Sequence, residues 1–161
     1  ALLDDFTLKC WGYNGHGELG YGDTASRGDA KNEMGDNLPV VDLGTDRYAV
    51  SVYAGAYHFC ALLDDDSVKC WGYNNEGQLG LGDTNYRGDV SGEMGDYLAV
   101  IDLGSSFDVI DSCVNVTLSE GTVSYDDSTS LYFCSSRDFL GAEYSCMMSS
   151  DGSVKCWGRN T

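Results

Sequence analysis

Short runs of apolar residues alternate with clusters of Asp and Gly along the whole chain, the pattern of brief half-buried strands joined by tight turns. Tyr57 to Leu63 is a mostly apolar run, Asp64-Asp65-Asp66 is a turn, and Ser67 to Tyr73 is a second run. Together they predict a β-hairpin. Further short strands are predicted over Leu38–Leu43 and Leu98–Leu103, and Tyr48–Val52 leads into the next unit. Between them, Asn74 to Gly82 is turn-rich, and residues 83–97 read as a long loop punctuated by Gly and Asp. Apolar residues do not recur at helical spacing for long enough to predict a helix. The reading is an all-β chain.

The pattern repeats, which governs the domain reading. Residues 1–44 align with 61–104 without a gap, and roughly two thirds of the positions are identical. A third copy starts at Gly141-Ala142 and runs through Cys146, Cys156 and Trp157, but it arrives 26 residues late. The expected organisation is a first unit over 1–54, a second over 55–104, an insertion over 105–140 and the start of a third unit over 141–161. Because the first copy opens one residue after the place of its first cysteine, the chain reads as part of a longer polypeptide.

Five of the seven cysteines follow the repeats. Cys60 and Cys70 lie symmetrically about Asp65, and Cys146 and Cys156 about Asp151. Their spacing is unlike that of zinc ligands. It sets the two cysteines of each hairpin opposite one another, close enough for a disulfide. Cys113 and Cys134 remain in the insertion to pair with each other, and Cys10 is assigned a partner upstream of Ala1. A three-residue hairpin loop tends to end in a left-handed residue. Gly152 suits that place, Asp66 tolerates it, and Phe6 suits it poorly. Asn115-Val116-Thr117 is an N-glycosylation sequon, so Asn115 is the expected glycan site. Disulfides and a glycan imply an oxidising compartment, hence an extracellular or cell-surface location.

Charge narrows the partners. With 26 acidic against 9 basic residues and a formal charge of −17, the chain is unsuited to nucleic acid and to anionic membranes. No apolar run approaches the ~20 residues of a membrane span. Twenty-one glycines without a collagen period fit a chain rich in sharp turns.

Gly55, His58, Cys60-Ala61-Leu62, Asp65, Trp71-Gly72-Tyr73-Asn74 and Gly77-Gln78-Leu79-Gly80 together resemble the repeat of the regulator of chromosome condensation family. The first unit departs at Glu18, and the third has Tyr144 in place of the histidine. The resemblance covers nearly everything but the insertion. It implies a β-propeller built from four-stranded blades, of which this chain holds about three; the cysteine spacing and the sequon mark it as a disulfide-stapled, secreted type. It also implies an interaction surface and no chemistry of its own, since the fold alone fixes no function.

The candidate chemistry is correspondingly thin. His16 and His58 are the two histidines, and His58, on the strand before the disulfide, reads as a packing residue. No Ser or Cys lies in a nucleophile elbow, and no catalytic residue is assigned. Asp83, Asp89, Glu93 and Asp96 are candidate calcium ligands in a glycine-rich loop; no other cofactor is expected. Arg27-Gly28-Asp29 and Arg87-Gly88-Asp89 spell an adhesion tripeptide, although these are also ordinary loop residues. Trp11, Trp71 and Trp157 recur beside the second cysteine and read as core. The functional expectation is a non-catalytic extracellular scaffold whose partners are other protein chains or other repeats of the same protein. The alternatives are a soluble ligand-binding or inhibitory propeller acting on one protein partner, and a domain of an extracellular hydrolase.

Overall fold

The computed structural model describes residues 1–105, 144–149 and 153–159. Cys113, Cys134, Asn115, the turn at Asp151-Gly152 and the start of the third copy at Gly141-Ala142 lie outside these residues. Five strands are present among the described residues: β1 (Ala49–Ala54), β2 (His58–Leu63), β3 (Val68–Gly72), β4 (Tyr144–Met148) and β5 (Val154–Gly158). The chain is all-β. Its other regular elements there are single 3-10 turns at Gly35–Asn37 and Gly95–Tyr97.

In the second unit β1, β2 and β3 form an antiparallel meander, with Cys60 opposite Cys70 in the β2–β3 register. The loop between them is the three-residue type. Leu63 donates its N–H to the Ser67 carbonyl (2.8 Å), Asp66 donates to the Leu63 carbonyl (3.1 Å), and Asp66 takes φ +63°. The first unit makes the same turn with Phe6 at φ +62°, even though a bulky residue is strained there. Phe6 lies against Tyr48, with ring centroids 4.9 Å apart. In the third unit β4 and β5 pair in the same register, Cys146 opposite Cys156, and Ser149 donates to the Ser153 carbonyl as Leu63 does to Ser67. Cys60–Cys70 and Cys146–Cys156 are disulfides.

The segments Leu38–Leu43 and Leu98–Leu103, expected as strands, are extended but not laddered. Each begins after a 3-10 turn and touches its hairpin through one backbone bond, Val41 N–H to the Leu8 carbonyl and Ile101 N–H to the Val68 carbonyl, both 2.8 Å. The far end of β3 is met by another point contact, the Gly72–Arg87 bridge, matched by Gly12–Arg27 in the first unit. Two separated points of one loop thus occupy the outer edge of β3, where a continuous strand would form a ladder. The apolar pattern that suggested strands is satisfied by burial: Leu38, Val41, Leu43, Leu98 and Ile101 are all buried.

Both faces of the β2–β3 hairpin are covered, which explains its nearly continuous apolar composition. Ala61, Leu63 and Trp71 pack with Leu8, Leu19, Val41 and Leu43 of the first unit. On the opposite face Cys60, Leu62, Val68 and Cys70 pack with Leu79 and Ile101 of their own unit and Met147 of the third. The units therefore stack sheet face to sheet face, and the Cys60–Cys70 disulfide lies in the seam between the second and third.

Candidate interaction surface

Each joint between units is built from a loop of one unit and β-hairpin side chains of the next. The loop is shaped by a buried asparagine. Asn74 Nδ2 donates to the carbonyls of Asp83 (3.0 Å) and Asn85 (2.8 Å), and its Oδ1 accepts from Leu79 N–H (2.9 Å). Asn14 repeats this with Asp23, Ala25 and Leu19. One side chain thereby satisfies three backbone groups that the irregular loop cannot pair internally. The residue at 18 or 78 tightens the same loop: Glu18 Oε2 accepts the N–H of His16 (2.8 Å), and Gln78 Oε1 accepts that of Glu76 (3.0 Å).

The loop then offers a backbone carbonyl to the following unit. Trp71 Nε1 donates to the Glu18 carbonyl (2.9 Å), and Trp157 Nε1 to the Gln78 carbonyl (2.8 Å). Two residues earlier on the same strand, Lys69 Nζ donates to the carbonyls of Leu43 (2.9 Å) and Gly95 (2.8 Å). Lys155 Nζ meets the Leu103 carbonyl in the same way. Residues two apart on a strand share a face, so one indole and one ammonium anchor each joint. Burial pulls the Lys69 ammonium below its ordinary value, against the raising influence of Asp96 and Asp42.

His58 lies at the second joint, buried against Gly55, where an added Cβ would fall 2.2 Å from the imidazole Cε1. Its Nε2 is 2.8 Å from Ser145 Oγ, and that hydroxyl donates to the Gln78 carbonyl at 2.9 Å. The serine proton is committed to Gln78, so the imidazole N–H is the donor in the first bond and Nδ1 is the bare nitrogen, without a partner among the described residues. A base activating a serine would need the opposite polarity. The arrangement locks two units together. Burial holds the imidazole down at about 4, so it is neutral at physiological pH.

The acidic loop does not assemble as a metal cage. Asp83 is committed to Arg87 (2.6 Å), which holds its carboxyl below the usual range, and Asp96 accepts from both the N–H and the hydroxyl of Thr45 (2.7 and 2.6 Å). Glu93 caps its own loop by accepting from Gly88 and Val90, and burial, aided by the neighbouring Asp89 carboxyl, pushes it up. Among the described residues no group of three or more His, Cys, Asp or Glu is placed to hold a metal ion. The Arg-Gly-Asp triplets are likewise turned inward at their first residue: Arg27 pairs with Asp23 (2.7 Å) and stands over the Tyr21 ring, as Arg87 pairs with Asp83. Cys10 has no disulfide partner among the described residues, and burial pushes its thiol up to about 11.

The outer rim of the first joint is aromatic. His16, at the tip of the first loop, has Tyr73 and Tyr86 at centroid distances of 5.0 and 5.3 Å, and Tyr13 and Tyr57 both at 5.9 Å. The ring pattern is edge-to-face, the favoured geometry for aromatic contacts. His16 Nδ1 lies 2.8 Å from the Glu18 carboxylate. Sequence reading did not single out this cluster, nor the roles of Asn14, Asn74, Lys69 and Ser145. The doubled Trp-Gly-Tyr-Asn text pointed at the asparagines. Nothing local pointed at Ser145, which finds His58 from 87 residues away.

Disulfide-stapled hairpins that interlock face to face through loop carbonyls define a tandem blade-like repeat of the β-propeller type, a class built for contacts between proteins. Residues 49–78 match the model of the regulator of chromosome condensation (RCC1) repeat, and the repeating unit of this chain is a repeat of that kind. The chain is similar to the Ultraviolet-B receptor UVR8 of Arabidopsis thaliana, 33% identical over 85 residues, covering 52% of this chain and 17% of the receptor. It is also similar to the probable E3 ubiquitin-protein ligase HERC3 of Homo sapiens, 37% identical over 87 residues, covering 54% of this chain and 8% of the ligase. The chain thus spans less than a fifth of the length of either relative.

Proposed function

We propose that this chain is a non-catalytic scaffold of a secreted or cell-surface assembly, with other protein chains or further repeats as its partners. The observation that carries this reading is the position of the disulfides. Cys60–Cys70 lies in the seam where one unit stacks on the next, so a bond that persists in oxidising compartments supports the surface that organises the repeat. The first unit adds a second support. Trp11 and Met34, equivalents of the buried Trp71 and Met94, are 51% and 42% exposed, an apolar face of the kind that another protein covers. In this reading Asn115 carries an N-linked glycan, Cys113 pairs with Cys134 within an insertion, and nucleic acid is not a partner.

The test is peptide mapping of the natively produced protein under non-reducing conditions with thiols blocked at lysis. The expected result is linked Cys60–Cys70 and Cys146–Cys156 peptides and a glycosylated Asn115 peptide. Free thiols at Cys60 and Cys70 would sink the extracellular reading. A second reading, a discrete binding propeller acting on one protein partner, is favoured by the exposed aromatic rim of the first joint. A monodisperse species that does not grow with concentration would support it over an assembly.

A further inference from the structure

We propose that the aromatic rim between the first and second units is a docking site for an arginine- or lysine-bearing segment of a protein partner. The inference rests on the reading of this chain as a protein-binding module and names the chemistry of the partner.

The rim is assembled from both units. Tyr13 and His16 come from the first loop; Tyr57, Tyr73 and Tyr86 come from the second unit. Burial of the joint does not require all of these rings, since Tyr13 is 61% and Tyr57 50% exposed, each with its ring centroid 5.9 Å from that of His16. Nor is the cluster dictated by the repeat. Glu76 stands in the second loop where His16 stands in the first, Ser26 stands where Tyr86 would, and Arg159 occupies the place of Tyr73 in the third unit. The first joint is therefore aromatic where the second has charged residues, although the two share their tryptophan and lysine anchors.

Charge selects the occupant. Tyrosine faces attract cations, Arg above all, and this rim sits on a chain of formal charge −17. Two acidic residues belong to segments that border it. Asn75, which donates to Tyr73 Oη (2.9 Å), is followed by the exposed Glu76. The Asp89 backbone runs against Gly17, close enough that a Cβ there would lie 2.4 Å from the Asp89 nitrogen. The arginine nearest in sequence, Arg87, is already committed to Asp83. A guanidinium arriving from a partner thus meets the exposed tyrosines Tyr13 and Tyr57 inside an attractive field that speeds its encounter.

The experiment titrates a fluorescently labelled hexa-arginine peptide into the full chain and follows anisotropy at low and physiological salt. Tyr13→Ala with Tyr57→Ala is expected to weaken binding about tenfold or more, whereas the Tyr13→Phe, Tyr57→Phe pair stays within about threefold of wild type, because the ring face and not the hydroxyl carries the contact. Asp66→Asn, on the hairpin tip, serves as the control for the overall field and is expected to change affinity by less than about twofold. Circular dichroism checks that every variant is folded. Equal affinity for wild type and the alanine pair would overturn the proposal, leaving only diffuse attraction to an acidic surface. So would preferential binding of a neutral oligosaccharide at Tyr13 and Tyr57, or an equal loss in the phenylalanine pair. None of these outcomes touches the scaffold reading, which stands or falls on the state of Cys60 and Cys70.

Discussion

Trp11 and Trp71 occupy the same place in the same Lys-Cys-Trp-Gly-Tyr-Asn text, yet Trp11 is 51% exposed and Trp71 is fully buried. Lys9 and Lys69 differ likewise: both donate to the carbonyl of Gly35 or its equivalent Gly95, but Lys69 is buried under Leu43 of the preceding unit as well. The two units share a local fold and differ in what covers them. Burial in this protein is therefore a property of the joint, and a residue's energetic weight cannot be read from its unit alone.

The sharpest way to break the comparison is at the tryptophans. Trp71→Ala removes a large core side chain and leaves the Glu18 carbonyl without its donor, so urea denaturation is expected to show a loss of about 3–5 kcal/mol. Trp11→Ala, made in the 161-residue chain studied alone, where Trp11 stays 51% exposed, is expected to cost less than about 1 kcal/mol. Equal losses would mean that position within the unit, and not the neighbour, sets the weight.

The histidines come next. His58 is held at about 4 against an ordinary 6.5, so between these values the unfolded chain binds the proton that the folded chain refuses. Its contribution is complete above about pH 6.5 and is lost as pH falls towards 4, on the order of 3 kcal/mol across that window. The measurement is the difference in unfolding free energy between wild type and His58→Gln at several pH values. A difference that does not change between pH 4 and 6.5 would show that the imidazole is not buried as described.

Smaller effects sharpen the contrast further. Replacing Cys60 and Cys70 together by serine is expected to cost about 2–3 kcal/mol in thermal or urea unfolding, since the loop they close is short. The asparagines should show no contrast at all. Asn14 and Asn74 are both fully buried and both satisfy the same three backbone groups, so Asn14→Ala and Asn74→Ala should each cost about 1–3 kcal/mol. Their agreement, beside the disagreement of the tryptophans, would separate loop architecture from joint architecture.

This division also marks what the sequence made legible. The hairpins could be read because their information is local: apolar runs about Asp65, a left-handed residue at Asp66 and cysteines that fall opposite one another. The expected strands over Leu38–Leu43 and Leu98–Leu103 misled because alternating burial looks the same whether the backbone is laddered or merely pinned. Their carbonyls are spent elsewhere, those of Leu43 and Leu103 on lysines of the next unit. The joint itself lay out of reach. The bond from Trp71 to Glu18 spans 53 residues and uses a main-chain acceptor, which no side-chain motif announces.

The tryptophan-to-carbonyl bond has a consequence for how such a chain changes over evolution. The second unit follows the first by 60 residues and the third follows the second by 86, yet Trp71 and Trp157 find the same acceptor on the unit before. The joint behaves as a plug with fixed polarity, donor on one side and acceptor on the other, indifferent to the length of cable between sockets. A chain wired in this way is free to acquire a new segment between Gly104 and Tyr144 without disturbing the units on either side. Distance along the chain is therefore free to vary while the joint between units stays the same.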